Sequence, residues 1–184
     1  LKEKDSLVEK LDSMYVRDEL TKLYNRFGMR RYVEKILQVA KRDGKHIMCI
    51  EMDLDGLKRI NDTYGHDCGD VVLTEIAKRL KYFMRGKGYA VRWGGEEFLL
   101  VFPEFHIDEA EEVMNEFIHE LDAHSVSYKE ETEVHITMTF GIVEAGEQFA
   151  NIDSMVSGAD RRLYIGKQNG RNQIVAEEQS EQDL

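Results

Sequence analysis

The turn at Gly94 and Gly95 constrains the fold more than any other feature, because it separates two strand-like apolar runs, residues 89–93 and 98–102. Glycine adopts positive φ at no steric cost, so two glycines between such runs predict a tight β-hairpin. A hairpin joins two antiparallel strands. The sequence therefore argues against a purely parallel, doubly wound sheet.

The same turn carries two adjacent carboxylates, Glu96 and Glu97. Like charges repel each other, and a turn selected only for stability would more readily use Asn or Asp-Gly. The two acids therefore indicate that something positive docks on the turn. A metal ion that carries a nucleoside triphosphate is one candidate.

Composition excludes several classes of protein. The 184 residues, 42% of them apolar, suffice for one domain with a full core. No apolar run approaches the roughly 20 residues of a membrane helix, and no signal-peptide pattern opens the chain. Cys49 and Cys68 have neither disulfide nor zinc spacing, so we expect ordinary thiols in the reducing cytoplasm. The net charge of −11 argues against a nucleic-acid partner, but a bound cation can offset the charge of a mononucleotide.

The two ends of the chain lie outside the main pattern. Leu7, Leu11 and Met14 recur at helical spacing, so residues 1–17 are predicted to form a helix. It is either a solvated terminal helix or the end of a coupling helix from an upstream sensory or regulatory domain. Because the chain begins at Leu1 rather than Met, we interpret it as a fragment of a longer protein, for which a membrane anchor is conceivable. The acidic tail, 177–184, is expected to be disordered.

Hydrophobic periodicity predicts an α+β fold, a mixed sheet faced by helices, over residues 18–176. No internal repeat interrupts it. The predicted elements are helices at 25–42, 71–84, 108–124 and 152–168, a short helix within 53–69, strands at 46–52, 134–143 and 172–175, and the two hairpin strands.

A second acidic group follows the strand at 46–52. Asp53 and Asp55 point the same way in an extended segment, and two carboxylates with a backbone carbonyl are ligands suited to Mg²⁺. The competing interpretation is a solvated strand end at which Asp55 caps the next helix.

The residues that follow have the chemistry of a nucleotide site. Free N–H groups at the helix start after Gly56 attract phosphate. Asn61 with an aspartate, Asp62 or Asp70, can match the donors and acceptor of a guanine edge. Turn formation, with Asp70 as the cap of the helix at 71–84, explains the same residues without a ligand.

Two cations, Lys167 and Arg171, lie where the last long helix ends. They either reach the terminal phosphates of a triphosphate or only complement the helix dipole before the helix-stopping Gly170.

Five segments, taken in order, resemble the GGDEF domain of bacterial diguanylate cyclases. They cover nearly all of the chain, from about Asp18 to Val175. They are residues 18–26, 53–62, 65–70, 94–98 and 159–172. The resemblance implies a five-stranded, mixed or antiparallel sheet of the nucleotidyl cyclase or polymerase-palm type, with an N-terminal linker helix.

The resemblance implies metal and catalytic roles. Asp53, the Leu54 carbonyl and Glu96 would bind two Mg²⁺ or Mn²⁺ ions in each half-site. Glu96 would be essential, as a metal ligand and a proton acceptor, with Glu97 assisting and Lys58 acting on phosphate.

It also implies the substrate contacts. Asn61 and Asp70 would read guanine, with His66 close to the substrate. Phosphates would be held by the backbone at Gly56, Leu57 and Lys58 and by the side chains of Lys58, Lys167 and Arg171. Gly94 and Gly95 would leave room for the nucleotide and for the substrate of a second subunit.

The implied reaction condenses two GTP into cyclic di-GMP and two pyrophosphates. Each domain binds one GTP, so two domains must face each other as a homodimer, without nucleic acid and without direct membrane contact by this domain. The alternative is a silent module that binds GTP or cyclic di-GMP and regulates a neighbouring domain. Silent relatives usually lack the turn acid or the metal aspartate, and both are present here.

Three departures from the family pattern matter. Leu57 stands where the family often has Phe, and we expect activity to survive. Asp70 favours strict use of GTP, because relatives that accept ATP carry Ser there. The product-inhibition pattern R-x-x-D is degenerate, since Arg85 is followed by Gly86-Lys87-Gly88; weak or absent feedback inhibition is therefore expected.

Overall fold

A five-stranded sheet with helices on both faces organises the described residues, 15–177, of the computed structural model. The predictions for the helix at 1–17 and the tail at 177–184 fall, apart from residues 15–17 and Glu177, outside this range. Among the described residues, no helix has both the length and the apolar character needed to cross a membrane.

The helices and strands alternate along the chain as an α+β fold requires. The helices are α1 (consecutive segments Arg26–Gly28, the π-helical Met29–Val33 and Glu34–Arg42), α2 (Leu57–Tyr64), α3 (His66–Met84), α4 (Ile107–Ala123) and α5 (Ile152–Gln168). The strands are β1 (Met48–Leu54), β2 (Tyr89–Arg92), β3 (Glu97–Phe102), β4 (Val126–Tyr128), β5 (Thr132–Val134), β6 (Met138–Glu144) and β7 (Ile174–Val175).

The sheet has the strand order β2-β3-β1-β6-β7, with β1 at its centre. Strand β1 is antiparallel to both β3 and β6, and only the short β7 runs parallel to its neighbour β6. The predicted hairpin is β2–β3. The mixed five-stranded sheet and the α+β class are therefore confirmed.

Alternate residues of β1 face two different core layers. Met48, Ile50 and Met52 belong to the layer formed with α2, α3 and α4, whereas Cys49 belongs to the layer formed with α1 and α5. Period-2 alternation therefore places Glu51 and Asp53 on the second face, beneath α1 and α5. This arrangement buries two acidic side chains at the centre of the sheet.

The prediction of one continuous strand at 134–143 is wrong in extent. The structure divides this stretch into β5, which pairs with β4 in a separate two-stranded sheet, and β6, which belongs to the main sheet. Val134, Ile136 and Met138 are all buried, so the alternation continues across the break and hides it.

Two predicted boundaries also shift. The helix expected from Val71 begins at His66, so Asp70 lies inside α3 and does not cap it. The residue at the N-cap of α2 is Gly56, with no side-chain cap, so the alternative in which Asp55 caps that helix is wrong.

The predicted conformation of the glycine turn is wrong, although the hairpin itself is confirmed. Neither Gly94 nor Gly95 is among the glycines with positive φ. The turn is wider than a two-residue loop: the N–H groups of Trp93 and Gly94 both donate to the Glu97 carbonyl, at 2.9 and 3.1 Å. Arg26 and Arg92 hold the turn in this shape by donating hydrogen bonds to the carbonyls of Trp93, Gly94 and Gly95.

Candidate nucleotide and metal site

Asp53, the second-to-last residue of β1, is buried and makes one ion pair. Its carboxylate Oδ2 accepts a hydrogen bond of 2.6 Å from Nζ of Lys167, near the end of α5. Strand β1 and helix α5 pack directly against each other. The predicted phosphate ligand Lys167 is thus brought to the predicted metal ligand Asp53.

The glycine turn docks on the same end of β1. The Leu54 N–H donates to the Glu96 carbonyl at 3.1 Å, and Asp53 lies opposite Glu97 in the β1–β3 register. Cross-strand partners place their side chains on one face of a sheet. Asp53, Glu96 and Glu97 are therefore neighbours, as the sequence-based hypothesis of a shared cation requires.

The pKa of Asp53 is raised to about 6, chiefly by burial. The hydrogen bond and charge of Lys167 oppose this rise, and the charges of Glu96 and Glu97 contribute to it. One lysine therefore faces three acids. Two carboxylates and the adjacent Leu54 carbonyl are hard oxygen donors, so the residues present fit a divalent cation such as Mg²⁺.

Two arginines hold the glycine turn, and sequence reasoning missed both as site residues. Arg92 donates from Nε to the Gly94 carbonyl at 2.6 Å and from Nη2 to the Gly95 carbonyl. Arg26 donates from Nε to the Trp93 carbonyl at 2.6 Å and stacks on the Trp93 ring at 4.4 Å. These bonds fix the turn from outside. A basic residue at the end of the otherwise apolar β2 was the available signal for Arg92.

The start of α2 has the features of a phosphate site. Gly56 is left-handed, with φ 77° and ψ 27°, and provides no side-chain cap. No acidic residue lies in the first turn of the helix. The N–H groups of Leu57 and Lys58 precede the first helical donor, Ile60, whose N–H bonds to the Gly56 carbonyl at 3.1 Å. They are therefore available to an anion.

Asn61 presents a buried, unsatisfied acceptor beside α3. Its Oδ1 atom has no hydrogen-bond partner among the described residues. Gly69 closes one side so tightly that a Cβ there would lie 2.0 Å from this atom. Buried polar atoms normally have partners, so an unpaired acceptor fits a ligand donor such as a guanine N–H.

The other predicted base-contacting residues lie on α3. Asp70 follows Gly69 directly and is exposed, as is His66 at the start of the helix. The charge of Asp70 also acts on the pKa of Arg92, which burial lowers. Asp70 is therefore within electrostatic range of the arginine that holds the turn.

Asp55 has a structural role rather than the metal role that its spacing suggested. It accepts hydrogen bonds from the hydroxyls of Thr137 and Thr139, at 2.9 and 2.8 Å, and from the Asn172 N–H at 3.1 Å. These bonds fix the segment after α5, in which Arg171 has positive φ. The predicted phosphate ligand Arg171 is thus held near the end of β1.

Glu51 is a buried acid that sequence reasoning did not single out. Its side chain is 2% exposed, and its Oε2 atom has no hydrogen-bond partner among the described residues. The pKa of Glu51 is raised to about 8, chiefly by burial and also by the charges of Asp160 and Glu97. An acid within an otherwise apolar run was the available signal, but the sequence does not show that its side chain is buried.

Arg85 lies apart from this site, at the C-cap of α3. It lines a cavity of about 190 Å³ together with Arg17, Lys81 and Gly88. A Cβ at Gly88 would meet the Val101 carbonyl oxygen at 2.1 Å. The backbone therefore has no space for the acid of the R-x-x-D pattern at this position.

The structure therefore brings a carboxylate pair at a strand end beside an uncapped helix start and an unpaired amide. The family model described as diguanylate cyclase, GGDEF domain, matches residues 15–173. The chain therefore belongs to the GGDEF family of diguanylate cyclases.

Curated relatives agree with this assignment. The chain is 30% identical to the response regulator PleD of Caulobacter vibrioides over 161 residues, 87% of this chain and 36% of PleD. It is 36% identical to diguanylate cyclase A of Treponema denticola over 124 residues, 67% of this chain and 33% of that protein. The chain thus spans about a third of the length of these relatives.

Solved structures share the fold. The coiled coil and GGDEF domain of DgcB from Caulobacter crescentus, in complex with c-di-GMP, matches with a TM-score of 0.88 at 26% identity, over 96% of this chain and 93% of that one. The diguanylate cyclase SiaD from Pseudomonas aeruginosa, in complex with its activator SiaC, matches with a TM-score of 0.82 at 30% identity, over 95% and 66%.

Proposed function

We propose that the chain is a catalytically active diguanylate cyclase that condenses two GTP into cyclic di-GMP and two pyrophosphates. The observation that carries the proposal is the convergence of Asp53 and Glu96 at the end of β1, with Lys167 bonded to Asp53. Membership in the family supports the reaction type, and the presence of both acids supports competence rather than a silent regulatory module.

Asp53, Glu96 and the Leu54 carbonyl would hold Mg²⁺ or Mn²⁺, which supplies activation of the attacking hydroxyl and neutralises charge on the leaving pyrophosphate. Lys167 would exchange its bond to Asp53 for a bond to a phosphate oxygen. Lys58, Arg171 and the uncapped N–H groups at the start of α2 would hold the remaining phosphates.

Asn61 and Asp70 would read the guanine edge. The unpaired Asn61 Oδ1 accepts from a guanine N–H, and a carboxylate accepts from neighbouring donors. The oxygens of Asn61 and Asp70 would accept from the N1–H and the amino group of guanine. Adenine lacks this pair of donors, so these oxygens would stay unpaired with ATP.

The reaction needs two facing domains. The 3′-hydroxyl oxygen of one GTP forms a bond to the α-phosphorus of the other, the bond to pyrophosphate breaks, and the hydroxyl proton passes to a base for which Glu96 is placed. The same step with the roles exchanged closes the ring. A homodimer supplies both nucleotides, and an upstream regulatory domain would control how the two copies pair.

The test is incubation of a confirmed dimer with GTP and Mg²⁺, followed by mass analysis of the products. Cyclic di-GMP is expected from the wild type and from the control Glu112→Gln, an exposed change on α4, but not from Glu96→Gln. On dilution into the range where the dimer dissociates, the initial rate should fall more steeply than in proportion to protein concentration. A confirmed dimer that binds GTP and forms no product would instead identify a silent module.

Feedback inhibition through Arg85 should be weak. An acid cannot replace Gly88 without displacing the β3 backbone, so product would be held by the cations of this cavity alone. Turnover measured with added cyclic di-GMP should fall only at high concentration, and Arg85→Ala should change it little. Tight inhibition lost in Arg85→Ala would contradict this expectation.

A further inference from the structure

A second cluster of metal-ligating side chains lies at the opposite end of β1 from the nucleotide site. It consists of His46, just before β1, Glu144, at the end of β6, and His106, at the N-cap of α4. His46 precedes Asp53 by seven positions, which at the rise of a strand corresponds to about 23 Å. The cluster is therefore separate from the candidate nucleotide site.

The three side chains already converge on one point. Nδ1 of His46 lies 2.6 Å from Oε1 of Glu144, and Nδ1 of His106 lies 3.9 Å from the same oxygen. All three ligand atoms lie within 4.8 Å of one another, and the two imidazole rings are 3.5 Å apart between centroids. Ligands of a tetrahedral Zn²⁺ lie about 3.3 Å apart, so small side-chain rotations suffice to create the site.

The backbone beneath each ligand is fixed. Glu144 pairs with Met48 in the β1–β6 register, and the Ala145 N–H donates to the Ile47 carbonyl at 2.9 Å. The His106 N–H donates to Oε2 of Glu109 at 2.8 Å, and the His106 carbonyl accepts from the first turn of α4. A bound ion would therefore connect three regular elements rather than a loose loop.

We propose that His46, His106 and Glu144 form a binding site for a divalent transition-metal ion, Zn²⁺ in the first place. Two imidazole nitrogens and one carboxylate oxygen are a zinc donor set with a fourth position open to water or an outside ligand. The side chains are 50, 58 and 28% exposed, so an ion can enter from solvent. Mg²⁺ prefers oxygen ligands and would compete poorly here.

A simple ion pair is the competing explanation. In that explanation Glu144 pairs with His46 at 2.6 Å and, at a longer distance, with His106 at 3.9 Å. The nearby Lys45 pairs instead with Glu104, at 3.8 Å. Ion pairs form without a metal, whereas a metal site requires all three side chains to bind one ion, so the two explanations are separable by experiment.

The first experiment titrates the chain with Co²⁺ and Zn²⁺ in excess Mg²⁺, which keeps the oxygen ligands around Asp53 occupied. Visible absorbance of bound Co²⁺ should saturate at one equivalent per chain, and Zn²⁺ should displace it. His46→Ala and His106→Ala should each abolish this signal. Equal binding by the wild type and His106→Ala, or no binding by the wild type, would overturn the proposal.

The matched control is His124→Ala. His124 also lies at an end of α4 and pairs with a glutamate, Glu120, at 3.0 Å, but it is absent from the three-ligand cluster. This variant should bind Co²⁺ as the wild type does. Loss of binding in His124→Ala would place the ion elsewhere and contradict the assignment.

A measurement on the unaltered protein removes any dependence on how the variants fold. Imidazole resonances of the six histidines should be followed by NMR during Zn²⁺ addition. The resonances of His46 and His106 should shift together, and the melting temperature should rise by several degrees and return with a chelator. Shifts confined to other histidines would refute the site.

Discussion

Asp53 and Asp55 lie two residues apart at the end of β1, yet their surroundings are opposite in kind. Asp55 accepts three hydrogen bonds, from Thr137, Thr139 and the Asn172 N–H. Asp53 accepts one, from Lys167, and faces the acids of the glycine turn. One carboxylate is saturated with donors, and the other is left with unbalanced negative charge.

The difference shows how to separate a structural carboxylate from a ligand-binding one when spacing cannot. A saturated carboxylate stabilises the fold by connecting segments that are distant in sequence. An undersatisfied buried carboxylate costs stability and is retained where a ligand completes it. The comparison predicts that changes around Asp53 reduce activity, whereas changes at Asp55 reduce stability.

The largest effect is expected for Asp53→Asn. Turnover of GTP should fall by about 10³-fold or more, because the neutral amide is a poor metal ligand. The free energy of unfolding should change by less than about 1 kcal/mol, since removal of a buried charge offsets loss of the ion pair with Lys167. Steady-state kinetics and urea unfolding of the same preparation measure both quantities. A variant that keeps a tenth of wild-type turnover would break the comparison.

The pH dependence of stability tests the buried charge beneath the site. Folded Glu51 keeps its proton up to a pKa of about 8, whereas the usual value is 4.5. Between these values the unfolded chain binds fewer protons, so the free energy of unfolding falls as pH rises. Asp53 acts in the same direction, but only between 3.8 and about 6. From pH 6 to 8, therefore, Glu51 contributes more than Asp53 to the fall in the free energy of unfolding.

Glu51→Gln should remove up to about 2.7 kcal/mol of that fall between pH 6 and 8. Urea unfolding without divalent cations, repeated at several pH values, gives the slope for each variant. The control Glu112→Gln, an exposed acid on α4, should keep the wild-type slope. Parallel profiles for Glu51→Gln and the wild type would show that Glu51 ionises normally.

Asp55→Asn should mainly destabilise the fold, by about 2 kcal/mol. An amide nitrogen cannot accept, so at least one donor among Thr137, Thr139 and Asn172 loses its partner. Thr139 is fully buried, so water cannot replace the hydrogen bond that its hydroxyl donates to Asp55. Urea unfolding at neutral pH measures the loss. If Asp55→Asn instead matched Asp53→Asn in activity and kept its stability, the two carboxylates would have been assigned in the wrong order.

Long amphipathic segments were predictable from sequence, and short or externally held ones were not. The helix predicted at 152–168 is confirmed at both ends, because its apolar stripe and its Asn151 cap are local signals. The three-residue strands β4 and β5 were not predicted, because the alternating burial of residues 134, 136 and 138 continues past the end of β5. The conformation of the glycine turn depends on Arg26, 67 residues away from its acceptor, and no local pattern contains that information.

The site shows the same division. Ordered motifs brought Asp53, Glu96 and Asn61 forward as candidates, and the structure places Asp53 beside the turn that carries Glu96. The difference between Asp53 and Asp55 was invisible, because the donors to Asp55 come from β6, from Thr137 just before it, and from the segment after α5. Glu51 was invisible for a related reason, since its unusual pKa arises from burial that only the assembled sheet creates.

The smallest effect is expected at Asn61, where an undersatisfied buried amide oxygen, rather than a carboxylate, marks a ligand-binding residue. Asn61→Ala should raise KM for GTP about tenfold, equivalent to about 1.4 kcal/mol, and leave kcat nearly unchanged, because its unpaired Oδ1 would contact the base rather than the reacting phosphates. Thr63→Ala, an exposed change on the same helix α2, should change neither constant. Removal of an unsatisfied atom should also leave the free energy of unfolding unchanged or slightly higher. A large loss of stability with unaltered KM would mean that Asn61 is structural, and that an unpaired buried acceptor is a weaker guide to function than an undersatisfied carboxylate.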